Sequence, residues 1–135
     1  MRVIVAGSRE PPHDAYKTVC DKLGYYLRGQ DYSGLQVVSG TCRGYDLLSE
    51  RWAKRNRVEI VRFPANWDDI DVQGAVVKYN RQGKAYNAVA GHQRNRKMAD
   101  YSDCLVAFWD SKSSGTQNMI YLAKAYGLQV RVVLI

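Results

Sequence analysis

No apolar run in this 135-residue chain approaches the roughly 18 residues that a membrane-spanning helix needs, and the opening Met1 to Gly7 holds too short an apolar stretch for a secretory signal. The expectation is an intracellular protein with no membrane partner. Cysteine is scarce: Cys20, Cys42 and Cys104 are odd in number and form neither a C-x-x-C pair nor a zinc spacing. Neither a disulfide framework nor a metal site is expected. Cys42 stands in a Gly-containing turn ahead of a helix, but no histidine is evident as its base, so it is not read as a catalytic cysteine. The common nucleotide fingerprints are missing too. There is no G-x-x-x-x-G-K-[ST], and Gly7-Ser8-Arg9 does not continue as G-x-G-x-x-G. That argues against a P-loop NTPase and a standard NAD site, and no cofactor is expected. Internal repeats and low-complexity segments are also lacking.

What is present is ordinary globular composition, 46% hydrophobic and 24% charged, in a length suited to one folded domain over residues 1–135. Twenty basic against 13 acidic side chains leave +7, a field that favours anionic partners. The basic residues are dispersed (Arg2, Arg28, Arg43, Arg55, Arg62, Arg81, Arg94 and Arg131 among them) rather than gathered into a nucleic-acid-binding arm.

Along the chain, strands and helices alternate. Val3 to Ala6 reads as a buried strand breaking at Gly7-Ser8-Arg9. Beyond Pro12, Tyr16, Val19, Cys20, Leu23 and Leu27 follow helical spacing, with Asp14 as N-cap. Leu35 to Val38 is a second strand, Gly44 to Asn56 a second helix, and Val58 to Phe63 a third strand stopped by Pro64. Residues 66–87, rich in Asn, Asp, Gln, Gly and Tyr, read as a lid or insertion, helical in part through Ala75 to Tyr79. A helix from about Ala88 to Tyr101, a strand from Cys104 to Trp109, a helix closed by Gly127 and a strand from Val130 to Ile135 complete the chain. The expected fold is a Rossmann-like three-layer α/β structure: an open parallel sheet in the order 3-2-1-4-5 with helices on both faces.

In such folds ligands sit outside the carboxyl ends of the strands, where the strand order reverses. Three loops there are small, polar and hydroxyl-bearing: Gly7-Ser8-Arg9, Ser39-Gly40-Thr41-Cys42-Arg43-Gly44, and Ser111 to Thr116 with Ser113, Ser114 and Gly115. Two feed into helix N-termini, whose free N–H groups and dipole attract phosphate. A phosphate-bearing ligand follows. On the helix after the lid, Gly91, Arg94, Asn95 and Met98 share the inward stripe, so the arginine and asparagine either pair with buried groups or reach ligand oxygens. Asp46 and Glu50 lie one turn apart on one helix face. Solvated surface is the expectation for Glu50, while Asp46 is placed to accept a ribose hydroxyl or orient Arg94. Trp67 or Trp109 would offer a stacking face.

The strings Val3-Ile4-Val5-Ala6-Gly7-Ser8-Arg9, Val38 to Asp46, Phe63-Pro64-Ala65-Asn66-Trp67, Ala90 to Asn95 with Met98-Ala99, Ala107 to Asp110, and Ser113 to Thr116 together resemble the YspA-type branch of the SLOG superfamily. These are small Rossmann-like proteins frequent in phage and bacterial genomes. The resemblance implies the cytoplasm of a bacterial or phage-infected cell and a homo-oligomer. It also implies one of several ligand modes. Lonely Guy relatives cleave the N-glycosidic bond of nucleoside monophosphates. Arg94 stands near their catalytic arginine, and Gly115-Thr116 matches their phosphate loop, but Met119 occupies the place of their catalytic glutamate. Asp46 or Glu50 would have to substitute in any hydrolysis. The reading is a binder, or possible N-glycosidic hydrolase, of a nucleotide or nucleotide-derived molecule. Sequestration of a nucleotide signal without turnover, and single-stranded DNA binding like that of the DNA-processing relative, are the alternatives.

Overall fold

A computed structural model describes residues 1–135. Five strands form a parallel sheet: β1 (Arg2–Gly7), β2 (Gln36–Ser39), β3 (Glu59–Arg62), β6 (Cys104–Trp109) and β7 (Gln129–Leu134). Their order is β3-β2-β1-β6-β7. Apart from two short strands in the lid, this is the expected 3-2-1-4-5 order, and the reversal falls between β1 and β6. These two strands pair from Val3 with Cys104 to Gly7 with Phe108.

Strand residues alternate between two cores because successive side chains point to opposite faces. Val3, Val5, Val37, Val106 and Phe108 pack on one face against α1 (Ala15–Tyr26) and α2 (Tyr45–Arg55). Ile4, Val38, Leu105 and Ala107 face α3 (Ala90–Tyr101) and α4 (Ser114–Ala125) on the other. Runs apolar on both faces are what a covered parallel sheet requires. No helix is long and apolar enough to cross a membrane.

Two local expectations are corrected. Asp14 stands at the N-cap of α1, but its backbone is not extended (φ −94°, ψ 9°) and its side chain makes no capping hydrogen bond. The first turn instead uses Pro12 O, which accepts from Ala15 N at 3.0 Å. Residues 75–79 hold no helix: β4 (Val77–Tyr79) pairs antiparallel with β5 (Ala85–Asn87). Val76, Val77 and Tyr79 suit a pleated strand better than a helix. Asn80 shapes the turn, its Oδ1 accepting from Gln82 N and Lys84 N, both at 3.0 Å.

Candidate functional site

The carboxyl ends of β1, β2 and β6 open into one crevice, and its shape depends on glycines. At Gly44 (φ +89°) an added Cβ would lie 2.3 Å from Ser8 O, so only glycine lets the α2 entry loop lie on the loop after β1. A Cβ at Gly40 would lie 2.7 Å from Arg94 Nη1 and 2.9 Å from Asp46 Oδ2. Gly40 is the gap into which the guanidinium of Arg94 fits. Thr41 (φ +63°) and Ser111 (φ +64°), in the loops after β2 and β6, are non-glycine residues held in the left-handed region.

Arg94 is buried on α3, and its side chain ties three segments together. Nη1 donates to Gly40 O at 2.5 Å and to Phe63 O at 3.5 Å, and Nε donates to Asn95 Oδ1 at 2.9 Å. Asn95 in turn donates to Gly115 O (3.3 Å) and Asn118 Oδ1 (3.0 Å), which fixes the start of α4. Both expected roles of Arg94 are therefore geometrically open. Part of its donor set serves the backbone, and Nη2 turns to the crevice, 3.6 Å from Cys42 Sγ. Arg9, exposed on the loop after β1, brings its own Nη2 to the same sulfur at 3.6 Å.

Asp46 is nearly buried. Its Oδ2 accepts from Cys42 N at 3.1 Å, while Oδ1 accepts no hydrogen bond and is not sealed from the cavity. Burial pushes its carboxyl up to about 6, against the opposing pull of the Cys42 N–H, Arg94 and Arg9. A small cavity of about 50 Å³ is lined by Ala6, Gly7, Arg9, Cys42, Asp46, Arg94, Asn95, Met98, Gly115, Thr116 and Met119. It adjoins a wider cleft of about 440 Å³ lined by Arg9, Gly40, Thr41, Cys42, Arg43, Pro64, Ala65, Trp67 and Arg94. Trp67 is partly exposed at its wall and lies against Gly91.

Both helix N-termini reach this crevice, with different donors left over. In the β2–α2 loop, Thr41 N is taken by Ser39 Oγ and Cys42 N by Asp46, and Tyr45 N bonds Ser8 O. At α4, the N–H groups of Ser114, Gly115 and Thr116 have no partner in the chain, while those of Lys112 and Ser113 are taken by Asp110 Oδ1 at 2.9 and 2.7 Å. These backbone donors, Ser113 first, hold the Asp110 carboxyl below the usual carboxylate range. The Ser113 and Thr116 hydroxyls lie 3.2 Å apart.

Several expected residues do not line the small cavity. Glu50 is not solvated surface: it is buried, 6% exposed, and accepts from Ser39 Oγ (2.7 Å) and Arg62 Nε (2.9 Å), with Arg62 Nη2 2.8 Å away. The pairing of β2 with β3 sets Ser39 opposite Arg62, which no helix spacing could reveal. Ser8 is buried, its Oγ accepting from Glu10 N. Arg43 is paired with Glu10 at the exposed rim. Trp109 is half-buried, and its Nε1 donates to Ser113 O at 3.2 Å. The sequence reading missed Asn87, which is buried. Its Oδ1 accepts from Val76 N and Val89 N, and its Nδ2 donates to Gln93 Oε1 at 2.8 Å, docking the hairpin on α3. Its signal, one Asn among many in a polar stretch, was not distinctive. No three His, Cys, Asp or Glu side chains gather as a metal-binding group.

Fold and crevice define a Rossmann-like α/β protein with a charged, glycine-shaped pocket at the switch point of its sheet. The chain belongs to the YspA, cpYpsA-related SLOG family, whose profile matches residues 1–69. No curated protein matches it. Among solved structures, DNA processing protein A from Streptococcus pneumoniae superposes with a TM-score of 0.71 at 20% identity, over 97% of this chain and 49% of its own. DNA processing protein A from Helicobacter pylori, described for its single-stranded DNA binding mode, gives 0.66 at 20% identity, over 98% and 64%. The chain thus spans less than two thirds of either protein, and the likeness is one of fold.

Proposed function

We propose that the crevice binds a nucleotide or nucleotide-derived small molecule. The observation that carries this reading is the convergence on one cavity of three unlike groups: the α4 N-terminus with its unpaired N–H groups, the guanidiniums of Arg9 and Arg94, and the unpartnered Oδ1 of buried Asp46. The first two suit a phosphate, and the third suits a sugar hydroxyl that donates to it. Trp67 would give the wider cleft a face for a base. In this reading residues 1–135 act as one domain, the 66–87 segment is the lid, and the protein works in the cytoplasm of a bacterial or phage-infected cell as a homo-oligomer.

Binding without turnover is favoured. Glu50 is engaged by Arg62 and Ser39, and buried Met119 lines the cavity, so Asp46 is the one carboxylate among its lining residues. Mass spectrometry of small molecules released on denaturation, followed by calorimetry with nucleoside monophosphates, ADP-ribose and NAD, tests the reading. Arg9→Ala should weaken binding about tenfold or more, as expected for a lost charge-assisted contact. Release of free base abolished by Asp46→Asn would make the protein a hydrolase. Single-stranded DNA binding is the second reading, favoured by the net charge of +7 and by exposed Arg9 at the cleft. Tight oligonucleotide binding with steep salt dependence, and no mononucleotide binding, would establish it instead.

A further inference from the structure

Cys42 borders the crevice without a role in the proposed ligand contacts, and its surroundings are unusual for a thiol. The residue is half-buried and borders both the small cavity and the wider cleft, and its sulfur lies 3.6 Å from the Nη2 atoms of two different arginines. The other cysteines are set elsewhere. Cys104 opens β6 at the opposite end of the sheet, and Cys20 lies mid-way along α1 with its side chain near Tyr16. A six-residue strand spans about 17–20 Å, so Cys104 is beyond disulfide reach of Cys42. Two guanidiniums on one sulfur form a seat for oxygens carrying negative charge. The second, independent mark of a ligand-receiving pocket is Asp46, more than nine-tenths buried, with Oδ1 unpartnered and open to the same cavity.

We propose that Cys42 is an oxidative modification site whose sulfur oxyacid fills the anion seat between Arg9 and Arg94 and closes it to the phosphate of the ligand; the closing step rests on the function proposed above. The oxidant is a hydroperoxide. The Cys42 sulfur attacks one peroxide oxygen, so an S–O bond forms and the O–O bond breaks. The departing oxygen leaves as water or an alcohol and takes up the thiol proton, and sulfur is oxidised to the sulfenic acid as the peroxide is reduced. With Cys104 beyond its reach and Cys20 set on α1 against Tyr16, the sulfenic acid meets another hydroperoxide and becomes the sulfinic acid in a second step of the same balance. The sulfinate oxygens then accept from the two Nη2 groups that now face the sulfur.

The test uses the full chain, fully reduced, treated with hydrogen peroxide and mapped by peptide mass spectrometry with a sulfenic-acid trap. Cys42 should gain one and then two oxygens at least tenfold faster than Cys20 or Cys104, and Arg9→Met should slow its gain of the second oxygen several-fold. The oxidised protein should lose at least tenfold in affinity for AMP. Cys42→Ser should keep AMP binding and lose its sensitivity to peroxide. Oxidation of Cys20 or Cys104 at a rate equal to that of Cys42 would overturn the modification site. AMP binding unchanged after Cys42 has become the sulfinate would overturn the closing of the seat. Failure of the reduced protein to bind any nucleotide would strike the proposed function instead, and with it the closing step, while the selectivity of Cys42 and its dependence on Arg9 would still be read from the masses.

Discussion

Asp46 keeps its proton in the folded chain up to about pH 6, whereas an unfolded aspartate loses it near 4. Between those values the folded state binds more protons from this group, so its contribution to stability falls as pH rises through the window and is level above it. Asp31 and Asp110, held below the usual range, act in the opposite direction, so the comparison of wild type with Asp46→Asn is the informative one. Urea unfolding should find the two alike near pH 4 and the variant more stable at pH 8, by about 2–3 kcal/mol. A variant no more stable at pH 8 would mean that the carboxylate is better solvated than its burial implies. Arg94 and Arg9 differ in kind although both face Cys42. Arg94→Ala leaves Gly40 O and Asn95 Oδ1 without their donor and should lower stability by about 2–4 kcal/mol. Arg9→Ala, at an exposed position, should stay within about 0.5 kcal/mol of wild type. Differential scanning calorimetry separates them, and equal melting temperatures would remove the structural part assigned to Arg94.

At the scale of elements, the entry to α2 is where backbone conformation and packing are least forgiving. Gly44→Ala must place a Cβ against Ser8 O in a region of φ that L-residues avoid, so a loss of about 2–4 kcal/mol is expected, with disturbance of the loop after β1. Gly127 is also left-handed, at +79°, but nothing lies within 4 Å of an added Cβ. Gly127→Ala should therefore cost only about 1 kcal/mol, and denaturant melts of the pair check the contrast. The main helices were legible because their apolar residues recur at helical spacing, and β1 and β6 because they are buried on both faces. The lid was not. Its hairpin has only three paired residues on each strand, too few for a two-residue alternation to register, and its attachment depends on Asn87 meeting Gln93 of α3.

For the whole molecule, the two sheet edges are unequal. β3 is four residues long with two charged residues, Glu59 and Arg62, which discourage strand addition, while β7 is six residues long with one, Arg131, and exposes Val132 and Leu134. Self-association of the proposed homo-oligomer is accordingly expected at β7. Sedimentation equilibrium should show an assembly that Leu134→Lys shifts toward the monomer, and a wild-type monomer at tens of micromolar would refute it.

The alternation of strands and helices, the parallel sheet and the small polar loops at its carboxyl edge follow from the sequence alone, because they depend on local periodicity and on burial of both sheet faces. The same pattern put Arg94 and Asn95 on an inward stripe. Their partners could come only from tertiary structure. Gly40, whose carbonyl receives Arg94, is 54 residues away, and Arg62, which pairs with the buried Glu50 of α2, lies on β3. Cys42 in sequence is one thiol in a turn. The bond from Arg94 to Gly40 O after β2 sets Arg94 beside that sulfur while the loop after β1 brings Arg9 to the same atom, and no local spacing encodes where three separate segments meet.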